Sequence, residues 1–327
     1  MTAVEGKRYL ITGGASLVGS HICDVLLASG AKEILLFDNF SLGTPETLKH
    51  LEGDTRLKWI RGDVLKLPEL LDACKDVDGV FALAGYLTLP MSKDPYTGVS
   101  VNTIGMLNTL EACRFNKVRR VVFSSSIAAY GNPATTPIDE TTGYAWNGLQ
   151  PASNLYGSSK IMGEAICAQY AKTYGVQYNA LRFSSVYGAR QHARAVNAVY
   201  VAQVCQDVLQ GKAPVIYGDG SEVHDYVYVA DVARACVMAM TSEAHNHVIN
   251  IGTGVDTTHR EVAELAIELT GKNIKINYIE DNRAVKSAAS DKLQIDVRKA
   301  RETIGWTAQV DVRQGMKLLI DWMTHQA

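Results

Sequence analysis

The sequence has almost no excess charge of either sign, because 32 Lys and Arg residues face 34 Asp and Glu residues over 327 positions. A net charge of −2 gives no long-range field that would concentrate nucleic acid or an anionic membrane surface. The basic runs at 117–120 and 298–301 are short and interrupted by other residues. The composition therefore argues against nucleic acid and against a membrane as partners.

Cysteine pairs and metal-ligand motifs are also missing. The six cysteines stand far apart, with no C-x-x-C and no Cys/His pair at metal-ligand spacing. We therefore expect no metal site, and reduced thiols in a cytoplasmic protein. The N-terminus lacks an apolar region long enough for a signal peptide, and the run Tyr9–Thr12 is too short to span a membrane. These absences predict a cytoplasmic location.

Short apolar runs alternate with helical segments through the first two-thirds of the chain, which is typical of a parallel sheet covered on both faces. The predicted strands are Tyr9–Thr12, Ile34–Asp38, Leu57–Asp63, Gly79–Ala84, Arg119–Ser125 and Tyr178–Phe183. The predicted helices between them are Leu17–Ser29, Leu67–Cys74, Pro95–Phe115 and Ala152–Tyr174. This β-α-β repetition predicts an α/β fold with a doubly wound parallel sheet, of the Rossmann type.

Beyond about residue 184 the predicted elements become shorter and less regular. They comprise a helix at Ala195–Leu209, strands at Pro214–Tyr217 and Val248–Ile251, and a helix that begins at the capping box Thr258-x-x-Glu261. No linker rich in Pro, Ser or Gly separates the two parts. We expect residues 1–183 to form the sheet domain, with later segments at about 214–254 returning to it. Residues 184–327 would mainly form a smaller, interleaved C-terminal α/β lobe that binds substrate, with a cleft between the two parts.

A glycine-rich turn follows the first predicted strand, Thr12-Gly13-Gly14-Ala15-Ser16-Leu17-Val18-Gly19. In a Rossmann unit the N–H groups of such a turn, with the following helix N-terminus, bind a pyrophosphate. Gly13 and Gly19 fit the outer positions of G-x-x-G-x-x-G, and Ser16 takes the middle one. The Ser16 side chain either holds the cofactor slightly further out or donates its hydroxyl to a phosphate. The turn predicts dinucleotide binding by Gly13, Ser16, Leu17, Val18 and Gly19.

The next predicted strand ends at Asp38, nineteen residues beyond Gly19. An acid at this position binds the hydroxyls of the adenosine ribose. Because its carboxylate would repel a 2′-phosphate, Asp38 favours NAD over NADP. We therefore predict that residues 1–183 form an NAD-binding domain.

Three further residues carry the predicted chemistry. Ser126 follows the fifth predicted strand, and Tyr156 and Lys160 lie four residues apart at the start of a helical segment. That spacing puts the phenol and the ammonium on one helical face. A phenol with a pKa of about 10 acts as a base at neutral pH only when a nearby cation lowers its pKa. These residues lie at the carboxyl edge of the predicted sheet, where ligands bind in the crevice at which the strand order reverses. The arrangement therefore predicts acid/base catalysis in that crevice.

With these motifs the sequence resembles the extended short-chain dehydrogenase/reductases. Within that group it resembles the NAD-dependent epimerase/dehydratase family, which includes UDP-glucose 4-epimerase. The resemblance covers nearly the whole chain, including Gly62-Asp63-Val64, Leu181-Arg182-Phe183, Val186-Tyr187-Gly188, Tyr217-Gly218-Asp219-Gly220 and Asp225-Tyr226-Val227-Tyr228-Val229. It implies that Tyr156 is the acid/base and that Lys160 lowers its pKa and contacts the nicotinamide ribose. Ser126 would hydrogen-bond the reacting oxygen. Asn102 would lie on the cofactor side or only solvate its helix. Tyr156 would also contact NAD, and the other implied NAD-binding residues are Asn39, Asp63, Val64, Ala82, Leu83, Ala84 and Ser124.

The resemblance also bears on the reaction. Family dehydratases and decarboxylases carry acidic residues just after the catalytic Ser or Thr, whereas this chain has Ile127 and Ala128 there. The branches that use cysteine are disfavoured because no cysteine lies near Ser126. What remains is hydride chemistry at one alcohol carbon. An epimerase returns the hydride to the other face of the keto intermediate, and a dehydrogenase releases NADH.

The predicted substrate residues depart from the family pattern. Related epimerases hold the substrate diphosphate with an Asn and two Arg residues, and the corresponding positions here are Ser185, His224 and Arg283. Compensating cations would be Arg182, Arg190, Arg194 and Lys286, unless these residues form salt bridges. Tyr217 either stacks on a base or lies in the core. A longer stretch with Tyr144 and Trp146, together with Tyr86, suggests a less polar cleft.

Three hypotheses follow. The leading one is an NAD-dependent nucleotide-sugar epimerase resembling UDP-glucose 4-epimerase. The alternatives are an NAD-dependent dehydrogenase of a smaller or more apolar hydroxy compound, and a non-catalytic NAD-sensing protein. The resemblance also implies a homodimer through the helices Pro95–Phe115 and Ala152–Tyr174. The candidate interface residues are Met106, Leu110, Ile161, Ala165 and Ala168, which would equally fit an ordinary face that covers the sheet.

Overall fold

The computed structural model describes residues 3–191, 199–281 and 293–326. The strands are β1 (Arg8–Thr12), β2 (Glu33–Asp38), β3 (Leu57–Arg61), β4 (Gly79–Ala82), β5 (Arg120–Ser126), β6 (Gln177–Phe183), β7 (Ser185–Tyr187), β8 (Val215–Tyr217), β9 (Val223–Tyr228), β10 (His247–Ile251), β11 (Asp256–Thr258) and β12 (Asn277–Ile279). The helices are α1 (Leu17–Ala28), α2 (Leu67–Ala73), α3 (Thr88–Lys93), α4 (Pro95–Val99), α5 (Met106–Phe115), α6 (Pro151–Tyr174), α7 (Val199–Leu209), α8 (Val229–Thr241), α9 (His259–Thr270), α10 (Arg298–Ile304) and α11 (Val312–Gln326). Short 3₁₀ helices lie at Pro45–Leu51 and Ile127–Tyr130.

Seven parallel strands form the main sheet in the order β3-β2-β1-β4-β5-β6-β10. The order reverses between β1 and β4, so a crevice opens outside their carboxyl ends, where Thr12 and Ala82 lie side by side. The predicted doubly wound α/β fold is confirmed. Each predicted strand of this sheet is present, with ends that coincide or differ by at most two residues.

Helices cover both faces of this sheet, which explains why its inner strands β1, β2 and β4 are buried without alternation. Ile11 points into one layer, where Leu26 of α1 and Val232 of α8 are fully buried. Its neighbour Leu10 points into the opposite layer, beside Leu110 of α5. Met106 packs in that second layer too. Met106 and Leu110 therefore follow the sheet-covering alternative.

The predicted helix Pro95–Phe115 begins as expected, since Asp94 accepts a hydrogen bond of 3.0 Å from the N–H of Thr97. It is not a uniform α-helix, however. A π-helical segment, Ser100–Gly105, separates α4 from α5. The wider π turn carries Asn102, and such turns are frequent at functional sites.

The second lobe contains a three-stranded sheet, β11-β9-β7, and a two-stranded sheet, β12-β8. Helices α7, α9 and α11 pack around a separate apolar cluster that includes Tyr187, Val208 and Met316. The capping box at α9 is confirmed, with Thr258 and Glu261 bonding reciprocally. Across residues 3–191, 199–281 and 293–326, no helix is both long and apolar enough to cross a bilayer.

The chain crosses between the two lobes more than once. Helix α8 packs on α1, and β10 pairs with β6 at the edge of the main sheet. By contrast, β8 pairs with β12 in the second lobe. The part of segment 214–254 that joins the main sheet is therefore Val229–Ile251.

Candidate active site

The turn between β1 and α1 is tightly packed around its glycines. Gly13 has a φ of +70°, and a Cβ there would lie 2.9 Å from the N atom of Ala84. A Cβ at Gly19 would lie 2.8 Å from the carbonyl oxygen of Gly14. Ser16 caps α1, because its Oγ accepts a hydrogen bond of 3.1 Å from the N–H of Gly19. That bond leaves the hydroxyl hydrogen of Ser16 available to a phosphate oxygen.

Asp38 lies beside this turn at the end of β2. Its carboxylate accepts hydrogen bonds from the N–H of Ala15 at 3.0 Å and of Phe40 at 2.8 Å. Burial raises the pKa of Asp38, and these two bonds partly oppose the rise. The acid at the end of β2 thus also fixes the glycine-rich turn, a contact that sequence spacing did not reveal.

Ser126, Tyr156 and Lys160 converge at the carboxyl end of β5. Tyr156 and Lys160 project from the first turns of α6, and both side chains are buried. The Lys160 Nζ donates a hydrogen bond of 2.8 Å to the carbonyl oxygen of Ser124, and it lies 5.6 Å from the centre of the Tyr156 ring. The hydroxyl of Ser126 acts on Tyr156 by lowering its pKa. The structure therefore brings the three predicted catalytic residues together.

Burial is the main influence on the two titratable groups. It raises the pKa of Tyr156 to about 12, although the hydroxyl of Ser126 acts in the opposite direction. It lowers the pKa of Lys160 to about 8, opposed by the negative charge of Glu164. The lowering of the Tyr156 pKa by Lys160 stays a prediction.

A buried ion pair lies directly behind these residues. Glu164 binds Arg182 through two hydrogen bonds of 2.8 and 2.7 Å, and it also accepts one of 2.5 Å from Ser125. The salt-bridge alternative therefore holds for Arg182, within the main domain. Arg190 likewise pairs with Asp24 of α1. Arg194 and Lys286 lie outside the described residues.

Ser185 and His224, the two altered positions of the predicted diphosphate clamp, lie side by side. The Ser185 Oγ is 3.1 Å from Nδ1 of His224, and Nε2 of His224 is 3.0 Å from a carboxylate oxygen of Glu222. The strand pairing of β7 with β9 places these side chains together. Arg283, the third predicted member, lies outside the described residues.

Comparison with known proteins identifies the family. The model of the NAD-dependent epimerase/dehydratase family matches residues 9–252. A UDP-glucose 4-epimerase of Mycolicibacterium smegmatis is 30% identical over 324 residues, which cover 98% of this chain and 99% of that protein. UDP-glucuronic acid decarboxylase 1 of Danio rerio is 29% identical over 325 residues, covering 98% of this chain and 74% of that protein.

A solved structure agrees with these sequence matches. The UDP-glucose 4-epimerase of Thermotoga maritima with UDP-glucose superposes with a TM-score of 0.87 at 30% identity, covering 98% of this chain and 99% of that chain. This chain belongs to the NAD-dependent epimerase/dehydratase family. It is accordingly an NAD-dependent enzyme of the extended short-chain dehydrogenase/reductase type.

The turn after β1 fits the NAD of this family. Gly13 and Gly19 leave no room for a Cβ, so the turn carries no side chains at these two positions. Its N–H groups can therefore approach a pyrophosphate. The first turn of α1 carries no acidic residue that would repel the phosphates. Leu17 and Val18 begin α1 and Asp38 lies next to the turn, as predicted for an adenosine ribose ligand.

The other predicted NAD-binding residues mostly follow the same edge of the sheet. The N–H of Leu83 donates to the carbonyl oxygen of Thr12 at 3.1 Å, and the Ser124 Oγ donates to that of Ala82 at 3.1 Å. Ala84 contacts the glycine-rich turn. Asn39, which follows β2, is exposed. After β3, Asp63 is half-buried and Val64 is buried.

Asn102 links the segment after β4 to α6. It accepts a hydrogen bond of 2.6 Å from the N–H of Tyr86 and donates one of 2.9 Å to Ser159 Oγ. It is buried, which excludes the alternative that it only solvates its helix. A Cβ at Gly85 would lie 3.4 Å from Lys160 Nζ. Sequence reasoning missed Gly85 and Ser159, although both adjoin residues that it named.

The aromatic residues of the predicted cleft differ in exposure. Tyr144 is half-buried, and its hydroxyl donates a hydrogen bond of 2.8 Å to Asn154. Trp146 packs edge-on against Tyr144 and remains 61% exposed. Tyr217 is half-buried, while its neighbour Ile216 is fully buried. In β8 it is therefore Ile216 that lies in the core. Tyr217 does not, so the alternative that Tyr217 is a core residue is excluded.

Proposed function

We propose that this protein is an NAD-dependent nucleotide-sugar epimerase that inverts one alcohol carbon of a UDP-hexose. The observation that carries the proposal is the convergence of Ser126, Tyr156 and Lys160 where β5 and α6 meet, followed by Ile127 and Ala128 instead of acids. Bound NAD supplies the hydride acceptor and donor. With NAD bound, inversion requires only one hydroxyl-bearing carbon of the sugar and one acid/base residue of the protein.

Each of the three residues has a separate task. Tyr156 takes the proton from the substrate hydroxyl and later returns it. Ser126 donates a hydrogen bond to the same oxygen. Lys160 is held against the carbonyl oxygen of Ser124, where its positive charge favours the phenolate form of Tyr156. Burial excludes water from this site, so the keto group formed on the sugar is protected from side reactions.

Elimination chemistry is less well supported, although decarboxylases are among the relatives. Loss of water or of a carboxyl group uses further acid/base groups beside the keto sugar. Within the described residues, the acid behind the triad is Glu164, which is committed to Arg182 and Ser125. That geometry favours inversion over elimination.

A second candidate function is net oxidation or reduction of a smaller or more apolar hydroxy compound. Specific observations favour it, namely that Ser185 and His224 replace the predicted clamp residues and that Trp146 is an exposed aromatic residue. The triad serves this reaction equally well, because the two reactions differ in whether NADH leaves.

One incubation separates the two candidates. The purified protein is mixed with NAD⁺ and UDP-galactose, the nucleotide sugars are separated by chromatography, and NADH is followed by its absorbance. The expected result is UDP-glucose without net NADH. Net NADH, or no binding of any UDP-sugar in calorimetry, would overturn the epimerase proposal.

The assembly proposed for this enzyme is a homodimer through α4, α5 and α6. Apolar side chains on these helices and on the π-helical segment between α4 and α5 remain exposed, with Tyr96 at 84%, Ile104 at 48% and Met162 at 51%. Ala165 and Ala168 are exposed on the same helix as Met162. Small and apolar residues on adjacent helices support close helix packing between two copies.

A further inference from the structure

Glu222, His224 and His259 form a compact group of possible metal ligands in the second lobe. One ligand atom from each side chain lies within 4.8 Å of the others. Oε1 of Glu222 is 3.0 Å from Nε2 of His224, and Oε2 of Glu222 is 3.7 Å from Nδ1 of His259. In a tetrahedral zinc site neighbouring ligand atoms are separated by about 3.4 Å. The two separations, which involve different carboxylate oxygens of Glu222, lie on either side of that value.

The fold holds the three residues together from different segments. Glu222 precedes β9, His224 lies in β9, and His259 is the first residue of α9. The N–H of His259 donates a hydrogen bond of 3.0 Å to the carbonyl oxygen of Glu222, and β11 pairs with β9 beside them. The backbone therefore fixes the spacing of the ligand side chains.

Ser185 would orient one of these ligands. Its Oγ lies 3.1 Å from Nδ1 of His224, on the side of the ring away from Glu222. When the outer nitrogen of a histidine is hydrogen-bonded, the tautomer is fixed and the inner nitrogen faces the metal. The two imidazole rings are nearly parallel, with an interplanar angle of 9°, so one ring must turn for both lone pairs to reach one ion.

We propose that Glu222, His224 and His259 bind one divalent transition-metal ion, of the zinc class, with an open coordination position that takes a phosphate oxygen of the substrate. Two imidazoles and a carboxylate are a ligand set of catalytic zinc sites. Histidines must be neutral to bind a metal ion. Without the ion, the net charge of the three side chains is therefore −1, the charge of the Glu222 carboxylate. A divalent ion makes the cluster net positive, which suits a diphosphate.

The metal site is independent of the proposed epimerase function, whereas its phosphate role rests on that function. His259 is almost fully buried, but the side chains of His224 and Glu222 keep exposed fractions of 20% and 17%. The open position would therefore be reached from the side of His224 and Ser185, the predicted diphosphate positions.

Metal binding is tested first, without substrate. The full chain is freed of metal with a chelator and titrated with Zn²⁺ against a chromophoric competitor, and Co²⁺ is added separately to record its visible spectrum. We expect one equivalent in the wild type and at least ten-fold weaker binding in Glu222→Gln and His224→Ala. We expect no change in His245→Ala, which alters a half-buried histidine outside the cluster. Absence of stoichiometric Zn²⁺ in the wild type, or equal binding by folded Glu222→Gln, would overturn the site.

The phosphate role is then tested by calorimetry with UDP. With Zn²⁺ present we expect UDP to bind at least ten-fold more tightly than in the chelator-treated protein, and Glu222→Gln should remove this gain. If Zn²⁺ binds but leaves UDP affinity unchanged, the phosphate role is wrong. If UDP binds in neither condition while Zn²⁺ does, the UDP-sugar proposal fails and the metal site stands.

Discussion

At the scale of single residues, burial acts on Tyr156 and Lys160 in opposite directions. It raises the pKa of Tyr156 to about 12 and lowers that of Lys160 to about 8, because both charged forms lose hydration. A raised phenol pKa keeps Tyr156 protonated until the pH approaches that value. The chain on its own thus holds the base in its protonated form.

This can be checked by ultraviolet difference titration of wild type against Tyr156→Phe, without added cofactor. We expect no phenolate signal from Tyr156 near its ordinary pKa of about 10, and a signal only towards pH 12. NAD⁺ carries a cationic nicotinamide ring, so its addition should lower the apparent pKa. A phenolate already formed at pH 8 in the protein alone would contradict the dominance of burial.

The role of the Tyr156 hydroxyl gives a second expectation. Tyr156→Phe should reduce turnover by about 10²–10⁴-fold, because it removes the acid/base group, while NAD affinity changes little. Tyr144→Phe is the matched control, since it deletes the hydroxyl of a nearby tyrosine that bonds Asn154. Steady-state turnover and calorimetric NAD binding are measured for both. Full activity in Tyr156→Phe would mean that the base is misassigned.

Sequence reasoning reached the triad because its residues sit in local motifs. Tyr156 and Lys160 share one helix, and Ser126 ends a strand that parallel pairing aims at the same crevice. His224 was predicted as a substrate residue, but its grouping with Glu222 and His259 was not. His259 is far from the other two in sequence, and the pairing of β9 with β11 and a backbone hydrogen bond bring them together. Spacing along the chain carries no signal for such a contact.

At the scale of elements, the turn between β1 and α1 depends on glycine at Gly13. Gly13→Ala should weaken NAD binding at least ten-fold and destabilise the fold by about 1–3 kcal/mol. The reason is that residue 13 has a φ of +70° and that the added Cβ would be too close to the backbone of Ala84. Gly6→Ala is the control, with φ of +73° and nothing within 4 Å of the added Cβ. Calorimetric NAD titration and thermal unfolding measure both effects. Equal NAD affinity in the two variants would show that crowding at Gly13 does not matter.

The helix predicted at Pro95–Phe115 shows what periodicity alone can establish. Its start was predictable from Asp94 and Pro95, which form a cap and a first turn. The π segment Ser100–Gly105 was not, since an extra residue in one turn leaves no clear mark on apolar spacing. Asn102 reaches both Tyr86 and Ser159 from that segment, so the unpredicted turn carries a residue of the site.

At the scale of the whole molecule, the main sheet was predictable and the second lobe was less so. The seven parallel strands alternate with helices, and their apolar runs are distinctive. In the second lobe, strands such as Val215–Tyr217 and Asp256–Thr258 have only three residues, too few for a pattern. Their partners are set by tertiary packing of α7, α9 and α11.

The proposed dimer gives an expectation at this scale. Ile104→Glu and Met162→Glu place charges on exposed apolar positions of the α4–α6 surface and should raise the dimer dissociation constant at least ten-fold. Leu318→Glu, at a position 46% exposed on α11, is the control and should remain dimeric. Sedimentation velocity at several concentrations measures the mass. A monomeric wild type, or dimers unaffected by both substitutions, would rule out this interface.

The central claim is that hydride leaves and returns to the same sugar carbon within one active site. The most direct test uses UDP-galactose carrying deuterium at C4, incubated with the protein and NAD⁺, with the product analysed by mass spectrometry and NMR. The expected result is UDP-glucose that keeps its deuterium at C4, with no net NADH. Deuterium accumulating in released reduced cofactor, or lost to solvent, would contradict the proposed epimerase.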